Sequence, residues 1–307
     1  MIDKPAGAES SESRCSIRAQ NTGISAVGTA VVADAFLLVE VPLPWPADVG
    51  EHPALVGLAD LAATIGARVQ GIVPPAESAL VDRWRIALYR LQRFGETSRY
   101  GLSETHATLG TLVEDSAALF AKPIKRATAI EVLICSHGKR DRCCGSFGTA
   151  LALSASLNLN GPGVSIRRTS HLGGHRFAPT ALLLPDGTSW AWLDAERLER
   201  IVRRRGDVNQ VLSHFRGSTA MTSPVLQVAE REVFGIVGWH WLDVSRAGTL
   251  LSSEGQRSWV RIDSPLGSWT VAIDAKQGCS LPRCGLSDDA TEVWPQYVVS
   301  VVQRMFA

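Results

Sequence analysis

Four candidate metal ligands with soft or borderline side chains, Cys135, Cys144, His171 and His175, fall in one stretch, Cys135 to His175. The stretch opens CSHGKRDRCCG and closes SHLGGHRF, with Cys135 and Cys144 nine residues apart and His171 and His175 four apart around Gly173 and Gly174. Thiolate and imidazole donors suit zinc or iron–sulfur chemistry better than hard cations. By ligand type alone a distorted structural zinc site is open. A zinc finger is disfavoured, because its cysteines stand about two to four residues apart and its first histidine about twelve further on. Here the gaps are eight and twenty-six residues. A dithiol enzyme needs Cys-x-x-Cys, which the adjacent Cys143 and Cys144 do not supply. No pair of carboxylates is placed for glycoside hydrolysis, so glycosidase activity is not expected.

The elements around the stretch place these residues at loop and helix ends. AIEVLIC (129–135) reads as a strand that ends on Cys135. CGSFGTALALSASLNL (144–159) reads as a helix, so Cys144 sits near a helix N-terminus, where the dipole favours a thiolate. Side chains on adjacent helical residues point about 100° apart, which favours only one of Cys143 and Cys144 as a ligand. Gly145 would let the backbone approach a bulky cofactor. GVSIRRTS is a strand before the histidine loop. APTALLLPDG and TSWAWLD are two more strands, split by a Pro-Asp-Gly turn, and Asp194 caps a helix ended by Gly206. The order β-α-β-loop-β-β-α is the thioredoxin-like arrangement.

These residues resemble the sucrase/ferredoxin-like family. Its pattern of Cys, one residue, His, two residues, Arg-Asp, two residues, Cys, Gly matches Cys135, His137, Arg140, Asp141, Cys144 and Gly145. Its His-x-x-x-His matches His171 and His175, and the alignment puts Cys143 where other residue types occur. The resemblance implies a thioredoxin-like ferredoxin with a [2Fe–2S] cluster, one iron held by Cys135 and Cys144 and the other by His171 and His175. Two neutral imidazoles in place of two thiolates should raise the potential. The second ring nitrogen of each should couple it to pH. Arg140, Asp141, His137 and Arg176 are candidates for tuning such a cluster or for ordinary loop ion pairs.

Residues 1–21 read as a disordered polar tail carrying an incidental Cys15. Residues 22–125 read as a small N-terminal α/β domain, with strands FLLVEVPL, ARVQGIVP and WRIALYRL and a helix over HPALVGLADLAATIG. AKPIKRAT (121–128) reads as a linker, and 126–206 as the thioredoxin-like ferredoxin unit. Residues 207–307 read as an α+β region with a helix capped by Ser223, strands SWVRID and SWTVAID, and a final helix WPQYVVSVVQRMF. Cys279 and Cys284 read as incidental thiols. The two α/β units could be versions of one fold, although no repeat is visible in the sequence itself.

The fold class expected is therefore α/β, a thioredoxin-like unit flanked by two smaller ones. A net charge of +1 gives no argument for nucleic acid. RLERIVRRR (197–205) reads as the solvated face of a helix that buries Leu198, Ile201 and Val202. With no apolar leader, no spanning segment and only six cysteines in 307 residues, a reducing cytoplasm is the expected location. The function expected is one-electron transfer. Without a flavin or nicotinamide loop, the electron donor should be a separate reductase or redox protein. The alternative is a binding or scaffold protein bearing structural zinc, and a further one an enzyme served by the cluster from a flanking unit.

Overall fold

A computed structural model describes residues 14–94, 97–282 and 291–305. Nine strands form one mixed sheet: β1 (Ala35–Glu40), β2 (Ala67–Ile72), β3 (Trp84–Phe94), β4 (Thr97–Ala107), β5 (Ile130–Cys135), β6 (Val164–Thr169), β7 (Ala181–Leu184), β8 (Thr188–Trp190) and β9 (Phe215–Ser218). Their spatial order is β4-β3-β1-β2-β6-β5-β7-β8-β9. A smaller antiparallel sheet is made of β10 (Ala247–Glu254), β11 (Arg257–Ser264), β12 (Gly267–Pro282) and β13 (Thr291–Met305). The fold is α/β, as expected.

The large sheet consists of two similarly wired halves. In the first, β1 runs parallel to β2, β3 pairs antiparallel with β1, and β4 with β3. In the second, β5 runs parallel to β6, β7 pairs antiparallel with β5, and β8 with β7. Each parallel pair is joined through a helix, α2 (Leu58–Ala63) or α5 (Thr149–Leu159), as a parallel connection requires. The halves meet at the C-terminal ends of β2 and β6, where Ile72 pairs with Thr169. Such strand ends are where open α/β sheets hold their ligands.

β1 and β5 are buried along almost their whole length and read as continuous apolar runs, as central parallel strands do. Two ion pairs with buried carboxylates and partly exposed arginines cross between the halves. Arg167 of β6 pairs with Glu40 of β1, and Arg85 of β3 pairs with Glu131 of β5 at 2.9 Å. Tyr89 also donates to Glu131 at 2.7 Å, and burial pushes its hydroxyl above the usual phenol range.

Four sequence expectations change. The boundary drawn at 125/126 crosses a continuous sheet, and the one at 206/207 separates β9 from its partner β8. Residues 1–13 of the expected tail lie outside the described residues, but Cys15–Asn21 form α1, docked on the turn at His175–Phe177. Seven residues give too short a periodic signal to announce a helix that tertiary packing holds. The expected final helix is instead β13, paired with β12 over most of its length. Four of the five residues in its Val-Val-Ser-Val-Val run are β-branched, and Val299 and Val302 pack against the core while Ser300 and Val301 face out. The fourth strand of the first half, β4, has no counterpart among the expected elements.

The arginines of α6 (Ala195–Val202) and the turn after it are paired within the chain, Arg200 with Glu196, Arg203 with Glu199 and Arg204 with Asp186. That helix buries Leu198, Ile201 and Val202, the solvated-face reading. Trp190 and Trp241 are fully buried core residues. Among the described residues no helix is long and apolar enough to cross a membrane. Cys279 lies half-buried in β12, and Cys284 falls outside the described residues.

Candidate metal centre

Cys135 is the last residue of β5 and fully buried. Asp141 then starts the helix that carries Cys144. Its Oδ1 accepts from the backbone N–H groups of Cys143 at 2.8 Å and Cys144 at 3.1 Å, an N-cap on two donors at once. The first turns, Cys144–Gly148, are π-helical, a distortion common at functional sites. Two glycines let this turn close on the strand end. A Cβ on Gly148 would lie 1.8 Å from the Cys135 carbonyl oxygen, and one on Gly145 would lie 2.4 Å from the Gly138 Cα. Gly145 thus makes room for the protein's own backbone, not, as the sequence suggested, for a cofactor.

The two thiols meet inside an apolar cluster that includes Phe36, Leu38, Leu133 and Leu182. Cys144 donates its proton to Cys135, and together with His171 this holds the Cys135 thiol well below the usual range. The hydrogen bond with Cys135, and burial after it, push the Cys144 thiol well above the usual range. His171 Nδ1 lies 3.8 Å from Cys135 Sγ and 3.9 Å from Cys144 Sγ. The thiols are sealed from water, while both histidines are partly exposed.

The four expected ligands do not form one tight set. Cys135, Cys144 and His171 bring their donor atoms within 4.8 Å of one another. His175 instead shares such a group with Asp141 and Cys15. Its Nδ1 lies 3.1 Å from Asp141 Oδ2 and 3.3 Å from Cys15 Sγ. The two rings are nevertheless neighbours, 6.4 Å between centroids. This donor set, buried thiols with imidazoles beside them, fits a soft-metal or iron–sulfur group.

Buried cations underlie the histidine loop. Arg216 of β9 donates to the Gly173 carbonyl at 3.1 Å and stacks 5.6 Å from the Phe177 ring. Burial pulls its pKa down to about 10, opposed by the nearby thiols, so it stays charged at neutral pH. Gly174, at φ +72°, passes directly over it; a Cβ there would lie 2.5 Å from the guanidinium. Arg68 of β2 donates to the His171 carbonyl at 3.1 Å, and burial lowers its pKa too. His137 donates through Nε2–H to the Pro46 carbonyl at 2.8 Å, and burial lowers its pKa.

Sequence reasoning missed Arg216, Arg68 and Cys15. Arg216 carried a faint signal, a charged residue in the otherwise small and apolar strand Phe215–Ser218. Cys15 had none beyond being a cysteine. Comparison with curated proteins and with solved structures finds no match. The profile of one family, sucrase/ferredoxin-like, matches residues 26–217. Its span takes in both sheet halves, the cysteine turn and the histidine loop, up to the arginine beneath that loop. With more than half of its residues matched, the chain belongs to the sucrase/ferredoxin-like family.

Proposed function

We propose that the chain transfers single electrons through a [2Fe–2S] cluster held by Cys135, Cys144, His171 and His175. The observation that carries this reading is the pair of fully buried thiols, Cys135 and Cys144, packed beside two partly exposed imidazoles, His171 and His175. When bound, such a group would supply one-electron redox chemistry at a potential raised by its imidazole ligands. The chain's own residues do the rest. The apolar cluster around the thiols excludes water, and Asp141 and Arg68 fix the turn and the loop on which the donors sit. The histidines form the wet edge, the side from which an electron would enter or leave.

The partner is a separate acidic redox protein. A cavity of about 910 Å³ opens beside the cysteine turn, lined by Arg14, Lys139, Arg142 and Arg168 among others, with no carboxylate in its wall among the described residues. Such a rim attracts an acidic surface and speeds encounter at low salt. A reducing cytoplasm would suit these thiols.

Anaerobic purification with iron and acid-labile sulfide assays tests the reading. Two irons and two sulfides per chain are expected from the proposed cluster, with a brown colour that Cys135→Ala abolishes. A colourless chain carrying zinc would overturn it. The structural-zinc reading rests on one observation, that Cys135, Cys144 and His171 lie within reach of a single ion.

A further inference from the structure

The basic segment 121–128, a linker by its sequence, does more than join the two sheet halves. It lines a cavity of about 830 Å³, whose other walls come from β3 and β4 of the first half and β5 and β6 of the second. That size is ordinary for a small-molecule site. The segment is held in place there: Lys125 and Leu102 of β4 exchange backbone hydrogen bonds of 2.7 and 2.9 Å. The cavity is separate from the metal centre. Glu131 in its wall faces the same side of β5 as Cys135, but four residues earlier and about 13 Å along the strand, with buried Leu133 between them. It shares no wall residue with the opening beside the cysteine turn.

Charge in the cavity is unbalanced. Arg85 pairs with Glu104 at 2.8 Å and with Glu131 at 2.9 Å, and Arg167 pairs with Glu40. These two arginines and three carboxylates leave one net negative charge. Lys122, Lys125 and Arg126 add three positive ones at the exposed side. Their side chains have no hydrogen bond or ion pair among the described residues. The excess is thus two positive charges, gathered on five consecutive residues. Ser165 stands opposite Glu131 across the β5–β6 pair and two residues from Arg167, so all three share one face. Its hydroxyl has no hydrogen-bond partner among the described residues either. Leu102 and Ile130 supply apolar wall.

We propose that this cavity binds a small phosphate monoester, its dianionic head answered by Lys122, Lys125 and Arg126 and its organic part lying against the apolar wall. A phosphate monoester carries nearly two negative charges at neutral pH, which matches the excess. The three cations sit close together in the chain, as a compact head with several acceptor oxygens requires. A dicarboxylate would spread the same charge over two separate groups. The cavity is far larger than inorganic phosphate needs, so the ligand has an organic body.

Isothermal titration of the full chain with phenyl phosphate reads the site. One molecule per chain should bind, with a Kd below about 1 mM. Inorganic phosphate and phenol, the head and the body alone, should each bind at least about tenfold more weakly. The triple variant Lys122→Gln, Lys125→Gln, Arg126→Gln should lose at least about tenfold in affinity, the worth of one charge-assisted hydrogen bond. Taking the same charge from exposed positions elsewhere, with Arg83→Gln, Arg205→Gln and Lys276→Gln together, should leave the affinity unchanged. Should the first triple variant fail to fold, Ala129→Phe fills the cavity from an exposed wall position and should abolish binding. No binding to wild type at about 5 mM phenyl phosphate would overturn the proposal. So would equal losses in the two triple variants, unaltered binding in Ala129→Phe, or binding of phosphate, phenol or the dicarboxylate phthalate as tight as that of phenyl phosphate.

Discussion

The first strand of each sheet half is six residues long and ends on a buried polar residue, Glu40 in one half and Cys135 in the other. The second strands also correspond, ending on Ile72 and Thr169, which pair across the junction. The halves part company in the segments beyond these strand ends. After β1 come Pro44, Trp45 and Pro46; after β5 comes the turn that carries Cys144. After β2 come Pro74 and Pro75; after β6 comes the histidine loop. In the first half the strand end thus serves structure. Glu40 accepts from Ser78 at 3.0 Å and from the Arg85 backbone at 3.1 Å, and pairs with Arg167 of the other half. In the second half the same place holds a buried thiol beside Cys144 and His171.

The first half has its own part in the centre. It supplies Arg68, which holds the His171 carbonyl, and Pro46, whose carbonyl holds His137. Gly71 closes the junction by accepting from the Ser170 backbone at 2.8 Å, beside the histidine loop. One half carries the donors and the other is the wall against which their loops are set.

The largest contrast should come from the glycines that precede α5 and α2. Gly148→Ala would drive a methyl into the Cys135 backbone carbonyl, where neither side can yield. A loss of more than about 3 kcal/mol in chemical denaturation is expected, together with loss of bound metal. Gly57→Ala meets no atom within 4 Å and is opposed only by its positive φ, about 1–2 kcal/mol, with metal retained. Equal costs at the two glycines would break the contrast between a site turn and a plain helix start.

A smaller effect is expected at the strand end itself. Glu40→Gln removes the charge that faces Arg167 while keeping the shape of the side chain. About 2–3 kcal/mol of stability should go, read by urea denaturation, since one partner of a buried pair is left alone. Metal content at low temperature should not change. A variant that folds normally but binds no metal would mean that Glu40 belongs to the centre and that the halves do not divide their labour.

The second half is far more legible in the sequence than the first, for physical reasons. Cys135, Cys144, His171 and His175 are rare residue types at strand, helix and loop ends, and each end carries local signals: an apolar run, a capping Asp141, a Gly-Gly turn. The first half shares the wiring, yet nothing in its sequence announces a repeat, because topology constrains apolar periodicity and not identity. Its long-range roles are invisible for the same reason. Arg68 and Arg216 act through contacts 103 and 43 residues away, which no local pattern encodes. Cys15 reaches His175 across 160 residues from a helix too short to predict. β13 reads as a helix because its spacing admits both periods, and only pairing with β12 decides between them.

The last contrast lies in what was added to the second half, the strand β9 at its edge and the guanidinium it brings beneath the histidine loop. Among the described residues no corresponding strand lies beyond β4 in the first. Arg216 is buried at 1% exposure, so water screens its charge poorly. A fixed cation next to a redox centre favours whichever state is more negative, which is the reduced one. Arg216→Met keeps much of the side-chain length and removes the charge. The midpoint potential should therefore fall, by about 60 mV or more, equivalent to a tenfold change in a one-electron equilibrium. Arg216→Lys restores the charge but not the paired donors to Gly173 and Thr29, and should recover most of the shift while leaving the loop less tightly held. Spectroelectrochemical titration reads both variants. If Lys and Met shift the potential alike, the arginine acts by holding the loop; if only Met shifts it, the charge itself sets the potential.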